Sequence, residues 1–335
     1  MIRIVVDTMG SDFGVYTVVQ GVCQYSLEED VRMTLVGEAQ QIEDALKRYD
    51  CDRSKISIVH APKIISMDDD PRIPVVDSSI YMAADLVRKG EGDALVSAGN
   101  TGAVVICAAR YFHRLEGVEK VALATVYPTR KTHGPKNDPF ALLLDVGATL
   151  HVEAHDLVCF SVMGMVYAQI ISENPFPKVA LLSNGEEPGK GAPEVVAAHR
   201  MLAGQDQINF IGNIEGVDIP KGTADVVVCE GFLGNVILKF IEGIGEYAGL
   251  LLRSAGEKSG TRIHEPLYQQ VRRVAELTDW KHYGGAPILG LDQVVIKAHG
   301  RSTARAIRNA VKLAAKAVEK EMIAKTRVRM EKILS

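Results

Sequence analysis

The chain has 335 residues, 47% of them apolar and 24% charged, with a formal net charge of −4. That length holds one large domain or two. The composition is ordinary for a soluble globular protein, and the slight acidity argues against nucleic acid as a partner of the whole chain. Its five cysteines, Cys23, Cys51, Cys107, Cys159 and Cys229, form no C-x-x-C pair and are odd in number. This speaks against a disulfide framework and for buried thiols in a reduced, cytoplasmic protein.

IRIVVD (2–7) reads as a strand and not as a leader, because no small-residue cleavage site follows a longer apolar core. A helix over about 15–26 and a strand over 33–37 follow, then a helix over 38–48 and a strand over 55–61. The pattern continues with a helix over 78–89 and a strand over 93–98. Strands are expected at 122–128 and 141–147, a helix from about 155 to 172, and strands at 178–185, 208–215 and 224–231. One long helix is expected from 303 to about 333, with Lys and Arg along a side facing solvent. No apolar stretch reaches membrane-span length. Near-continuous apolar strands alternating with helices are covered on both faces, which predicts a three-layer α/β/α sandwich with a large sheet.

Several strands end in glycine-bearing loops: DTMGSD (7–12), SAGNTGA (97–103), DVGAT (145–149), SNGEEPGKG (183–191), CEGFLGN (229–235) and YGGAPILG (283–290). Glycine lets backbone N–H groups approach a ligand, and the start of the next helix favours negative charge. A single such glycine is as often a turn or a cap. Six in one chain point to a phosphate or another polar anion at the strand ends.

Standard motifs do not explain these loops. SNGEEPGKG lacks P-loop spacing, and Gly191 stands where a Ser or Thr would hold Mg²⁺. GIGEYAG (243–249) sits in a helical segment, not after a strand. His151 and His155 have an i, i+4 spacing that suits zinc on a helix, but they read as exposed loop histidines, and no metal is expected. No G-x-S-x-G elbow and no catalytic-thiol signature is present. Anion cradles without a covalent nucleophile fit a reaction in which phosphate itself attacks.

DTMGSDFG, DSSIYMAADLVRKGEGDALVSAGNTGA, LLLDVGA, NFIGNIEGVDIPKGTADVVVCEGFLGNVILK and YGGAPILGLDQVVIKAHGRS, in order from residue 2 to about 310, resemble the phosphate acyltransferases of bacterial phospholipid synthesis. The resemblance implies transfer of a long-chain acyl group from acyl carrier protein to inorganic phosphate. The acyl phosphate would then feed a membrane glycerol-3-phosphate acyltransferase. It also implies a fold similar to phosphotransacetylase and the isocitrate and isopropylmalate dehydrogenases, two intertwined subdomains, a homodimer, and no cofactor. Residues 1–110 with 285–335 would form one subdomain. Residues 111–284 would form the other, with a helical excursion near 245–282. The product, an amphiphile, implies a cytoplasmic protein associated peripherally with the inner face of the membrane.

The same motifs supply candidate residues. For catalysis these are His299, Arg301, Asp7, Asp145 and Asn235, the two aspartates being either bases or donors' orienters, or else turn residues. For substrate binding they are Gly10, Asp12, Ser97, Gly99, Asn100, Thr101, Gly102, Gly231, Gly234, Lys239, Gly284, Gly285, Lys297 and Ser302. Asn100, Thr101 and nearby N–H groups are placed to hold phosphate at a helix start. Arg253, Lys258, Arg262, Arg272, Arg273 and Lys281 form a basic stretch for an acidic carrier protein, a membrane surface or the other subunit, or else a solvated helical excursion. The chain departs from the family pattern at Thr8, Ser11, Val75, Val76, Thr149 and Thr303. The competing readings are another acyl donor such as acyl-CoA, a non-catalytic carrier-protein-binding protein, and a dehydrogenase on the related fold.

Overall fold

The computed structural model describes residues 1–66, 68–258 and 284–334. In chain order the first half holds β1 (Arg3–Asp7), α1 (Gly14–Ser26), β2 (Arg32–Gly37), α2 (Ala39–Leu46), β3 (Ile56–His60), α3 (Ser79–Arg88), β4 (Ala94–Ser97) and α4 (Thr101–Tyr111). The second half begins with β5 (Ala122–His133), β6 (Asp138–Leu144), α5 (Ala154–Ile170), β7 (Val179–Leu182) and α6 (Pro193–Ala203). It ends with β8 (Phe210–Ile214), β9 (Val226–Val228) and α7 (Gly231–Lys258). The chain then returns with β10 (Ala286–Leu289), β11 (Val294–Lys297), α8 (Ala304–Glu319) and α9 (Met322–Leu334).

All these strands join one eleven-stranded sheet in the order β3-β2-β1-β4-β11-β10-β5-β6-β9-β7-β8. β1 to β4 and β11 are parallel. β10 is antiparallel to β11 and β5, and β5 to β6, so direction reverses in mid-sheet. β6, β9, β7 and β8 form a second parallel block.

Both faces of the sheet are buried, as the uninterrupted apolar strands require. Ile4 and Val6 of β1 and Leu142 and Leu144 of β6 pack into one core with α1, α2, α5, α6, α8 and α9. Val5 and Leu143, one residue out of phase, pack into the other with α3 and α4. This two-residue alternation gives the sheet its two coats of helix. α5 is apolar on every side and buried along nearly its whole length, as a helix wedged between sheet and outer helices must be.

Two expectations need correction. Residues 286–289, read as part of a loop, form central strand β10, with Pro287 opposite Ile296. The last helix is two helices, broken where Glu321 takes a left-handed conformation (φ 54°). Of the basic stretch after Leu252, Arg262, Arg272, Arg273 and Lys281 lie outside the described residues.

Candidate active site

A cavity of about 350 Å³ opens where β4 and β11 end, beside the first turns of α7. Thr101 and Gly102 at the start of α4, Lys297 at the end of β11, His299 and Ser302 after it, and Asn235 and Lys239 on α7 line it. Gly285 also borders it, so eight sequence candidates meet in one place.

Beneath the cavity runs a row of polar groups. Asp7, Ser97 and Lys297 end β1, β4 and β11 and are paired in register, Asp7 with Ser97 and Ser97 with Lys297. Ser97 Oγ donates to Asp7 Oδ2 at 2.6 Å and accepts the Gly99 N–H at 3.1 Å. Asp7 is 2% exposed and Lys297 5%. Burial pushes the Asp7 carboxyl up to about 6, against hydrogen bonds from Ser79, Ser97 and Met9 and the Lys297 charge. Burial likewise draws the Lys297 ammonium down to about 8; Asp7 and Asp12 oppose this and Lys239 adds to it. Lys297 Nζ also donates to the Ala298 carbonyl.

His299 has a defined tautomer. Its Nδ1 accepts the Arg301 N–H at 3.1 Å, which leaves the proton of the neutral ring on Nε2. Arg301 itself is exposed, and its guanidinium stands 4.0 Å from Asp12. The loop carrying Asp12 is fastened to the same segment, because Asp12 N and Ser11 Oγ both donate to Gly300 O, at 2.9 and 3.1 Å. The Ser11 hydroxyl thus helps to fasten this loop. Gly10 (φ 84°) faces Gly99 so closely that a Cβ would lie 2.8 Å from Gly99 Cα.

Asp145 is fully buried, and five donors occupy its carboxylate. Oδ1 accepts from the N–H groups of Leu123, Gly147 and Ala148, and Oδ2 from Thr149 N and Oγ1, at 2.7–3.0 Å. Burial raises this carboxyl above its ordinary value, and those hydrogen bonds oppose the rise. Thr149 Oγ1 in turn accepts the Gly231 N–H at 3.0 Å. α7 therefore starts pressed against the 145–149 loop. A Cβ on Gly231 would lie 2.4 Å from Asp145 Oδ2, and one on Gly234 1.9 Å from Asp145 O.

The remaining candidates lie outside the cavity lining. Asn100 caps α4 by accepting the Ala103 N–H at 3.1 Å. Gly284 (φ 79°) lets the chain pass close to Asn309 just before β10. His155 is half-buried in the first turn of α5, its Nε2 2.8 Å from Gly117 O, rather than an exposed loop residue. Among the described residues no cluster of His, Cys, Asp or Glu could hold a metal, and no helix is long and apolar enough to cross a membrane.

Sequence reading missed Leu123, Thr125, Val146, Gly147, Leu238, Glu242 and Ala286 in the lining. Spacing held a signal for some. Leu238 and Glu242 follow Asn235 by three and seven residues and share its helix face. Leu123 and Thr125 are two apart on a strand and share a sheet face. SNGEEPGKG does not reach this cavity; Ser183, Asn184 and Gly191 line another.

The geometry places a buried cation, an imidazole N–H, a helix start and an amide around one space beside an apolar wall. That is an arrangement for an anion and an acyl carbonyl. A family model described as "Fatty acid synthesis protein" matches residues 2–325. The chain is 40% identical over 325 residues to the phosphate acyltransferase of Dictyoglomus turgidum, covering 96% of this chain and 95% of that one. It is 40% identical over 326 residues to that of Nitratidesulfovibrio vulgaris, covering 95% and 92%. In fold it is similar to a phosphotransacetylase from Streptococcus pyogenes (TM-score 0.65, 15% identity, 95% of this chain and 94% of that one). It is also similar to 4-hydroxythreonine-4-phosphate dehydrogenase from Klebsiella pneumoniae (TM-score 0.51, 13% identity, 95% and 100%). Those two likenesses concern the fold alone, whereas the near-full-length sequence matches show that the chain belongs to the phosphate acyltransferase family of fatty acid and phospholipid synthesis.

Proposed function

We propose that the protein transfers a long-chain acyl group from acyl carrier protein to inorganic phosphate. A phosphate oxygen attacks the thioester carbonyl carbon, the C–S bond breaks, and the carrier leaves as a thiolate that takes up a proton. Acyl phosphate is the product. The observation that carries this reading is Lys297, a buried cation in the cavity wall flanked by Ser97 and Asp7. In a water-poor site such a charge holds phosphate and offsets the oxyanion of the tetrahedral intermediate.

Supporting groups follow. His299 donates from Nε2, and the start of α4 at Thr101 and Gly102 adds backbone dipole. Asn235, Thr125 and Ser302 offer polar side chains, and Leu123 and Leu238 form the apolar wall. Arg301 at the surface attracts anions. Asp145, with five donors already on its oxygens, acts as the anchor of the 145–149 loop rather than as a base.

The reading includes a homodimer and a peripheral place at the inner membrane face, beside the glycerol-3-phosphate acyltransferase that would consume the product. Exposed Phe232, Val236, Phe240, Ile244 and Tyr247 along α7 supply an apolar surface for such contacts.

The test is release of free carrier-protein thiol from long-chain acyl-carrier protein, with and without inorganic phosphate, with hydroxylamine trapping of the acyl phosphate. Phosphate-dependent release with a trapped product is expected. Release from acyl-CoA alone would replace the donor, and no release by folded protein from either donor would overturn the reading.

A further inference from the structure

Among the described residues that line the Lys297 cavity, Glu242 is the one acid. It shares the space with Lys297, Lys239, His299 and the first turn of α4. A carboxylate in a cavity suited to an anion calls for a reason. We infer that Glu242 selects phosphate over other tetrahedral oxyanions by accepting a hydrogen bond from a P–OH group; this rests on phosphate being the acyl acceptor, as proposed above. Asn235, Leu238, Lys239 and Glu242 lie three, four and seven residues along α7, so one helix face carries all four to the cavity. Lys239 Nζ donates to Glu242 Oε2 at 2.8 Å. The Glu242 side chain is 16% exposed and that of Lys239 54%, so the carboxylate is the more withdrawn partner. Its Oε1 accepts no hydrogen bond among the described residues.

The ion pair by itself explains little, because a pair spaced i, i+3 on a partly exposed helix face stabilises only weakly. The charge of Lys239 is felt at Lys297, whose ammonium it helps to draw down, so the Lys239–Glu242 pair and Lys297 act on the same occupant. An ionised carboxylate only accepts hydrogen bonds. At neutral pH inorganic phosphate, as monoanion or dianion, keeps at least one P–OH and can donate to Glu242. Sulfate has the same shape and the charge of the phosphate dianion, but no proton. It meets Glu242 as an unpaired like charge. Arsenate keeps an O–H and should be accepted. Lys297 and Lys239 attract all three anions, so among the charged groups of the lining only Glu242 reads the proton. A site built around one hydrogen bond rejects an isostere that cannot make it.

Calorimetric titration of phosphate, arsenate and sulfate at constant ionic strength tests this on the wild type, Glu242→Gln, Glu242→Asp and Lys239→Met, with circular dichroism confirming the fold. The readout is the ratio of the sulfate to the phosphate dissociation constant. In the wild type a ratio of about a hundred or more is expected, with arsenate close to phosphate. In Glu242→Gln the ratio should fall below about ten, because the amide can donate to sulfate. Glu242→Asp keeps an acceptor and should keep most of the selectivity. Lys239→Met should weaken both anions and leave the ratio in place. Equal binding of sulfate and phosphate by the wild type would overturn the inference. So would a folded Glu242→Gln that binds both anions more tightly at an unchanged ratio, which would leave Glu242 as the partner of Lys239 alone. Selectivity lost in Glu242→Gln, with no acyl transfer by the wild type, would support the selector and sink the acyl-transfer reading. Acyl transfer to phosphate, with sulfate competing as well as phosphate binds, would do the reverse.

Discussion

Asp7 and Lys297 end strands on either side of Ser97, on one rung of the sheet, and Ser97 Oγ donates to Asp7 Oδ2 at 2.6 Å. Burial raises the Asp7 carboxyl to about 6 and lowers the Lys297 ammonium to about 8. If the working form carries an ionised Asp7 and a protonated Lys297, kcat/KM rises with pH near 6 and falls near 8. In Lys297→Arg the falling limb should vanish from this range, because a guanidinium keeps its proton. A pH–rate profile of both proteins checks this, and a falling limb that stays in place assigns it to another group.

The same two groups bear on stability. The folded-state pKa of Asp7 lies above the ordinary 3.8, so its contribution is fully present below that value and lost as pH rises through about 6. The folded-state pKa of Lys297 lies below the ordinary 10.5, so its charging penalty is present below about 8 and relieved as pH climbs toward 10.5. Between 6 and 8 both buried charges stand, and each offsets part of the other's cost. Asp7→Asn and Lys297→Met should each destabilise more than additivity with the double variant allows, with a coupling of about 1 kcal/mol or more. Urea denaturation of the four proteins at neutral pH measures it, and strict additivity would show that the charges do not sense each other.

Glycines of α7 should respond to alanine with opposite signs. Gly231→Ala and Gly234→Ala place a Cβ 2.4 and 1.9 Å from Asp145 atoms, against backbone and a buried carboxylate that have nowhere to move. Each should destabilise by about 1–3 kcal/mol or more and impair activity, because the 145–149 loop lines the cleft. Gly243 has nothing within 4 Å of its Cβ position. Gly243→Ala should stabilise by about 0.5–1 kcal/mol, since alanine loses less entropy in a helix. Thermal melts of the three variants compare the signs directly.

What the sequence showed and hid follows from which forces are local. β1, β2, β4 and β9 were legible because their apolar runs are buried on both faces, which leaves a dense signal. β10 was not, because Gly284, Gly285 and Pro287 read as a turn, and proline is normally confined to sheet edges. Its place between two antiparallel neighbours is a long-range fact. The break at Glu321 carries no glycine or proline to announce it. Lys297 and His299 were named from their motif, but their meeting with Asn235 and Thr101 depends on a chain return from 286 that no local pattern encodes. Glycine loops misled in part. Gly231 and Gly234 serve close packing of backbone on backbone, which looks the same in sequence as an anion cradle.

The Thr149 hydroxyl joins two elements. Oγ1 donates to Asp145 Oδ2 at 2.8 Å and accepts the Gly231 N–H at 3.0 Å. Thr149→Val keeps the shape and removes both bonds, leaving a buried N–H and a carboxylate oxygen short of a partner. It should destabilise by about 1–3 kcal/mol. Thr149→Ser retains the hydroxyl and should stay within about 1 kcal/mol of the parent. Denaturant titration ranks the three. Equal loss in Thr149→Ser and Thr149→Val would mean that the methyl packing, not the hydroxyl, matters at this position.

His299 tests the electrostatic half of the mechanism. Its Nδ1 accepts the Arg301 N–H at 3.1 Å, which makes Nε2–H the donor of the neutral ring, and the residue lines the cavity. A donor aimed at a developing oxyanion contributes about 10²–10³-fold in rate. His299→Ala should therefore lose activity by about that factor, mainly in kcat, while phosphate still binds through Lys297. Glutamine places an amide near the Nε2 position, whereas asparagine mimics only the Nδ1 side. His299→Gln should recover part of the loss and His299→Asn should not. Steady-state kinetics with the phosphate concentration varied separates the parameters. A rise in KM for phosphate with kcat unchanged would reassign His299 from the oxyanion to the phosphate ground state.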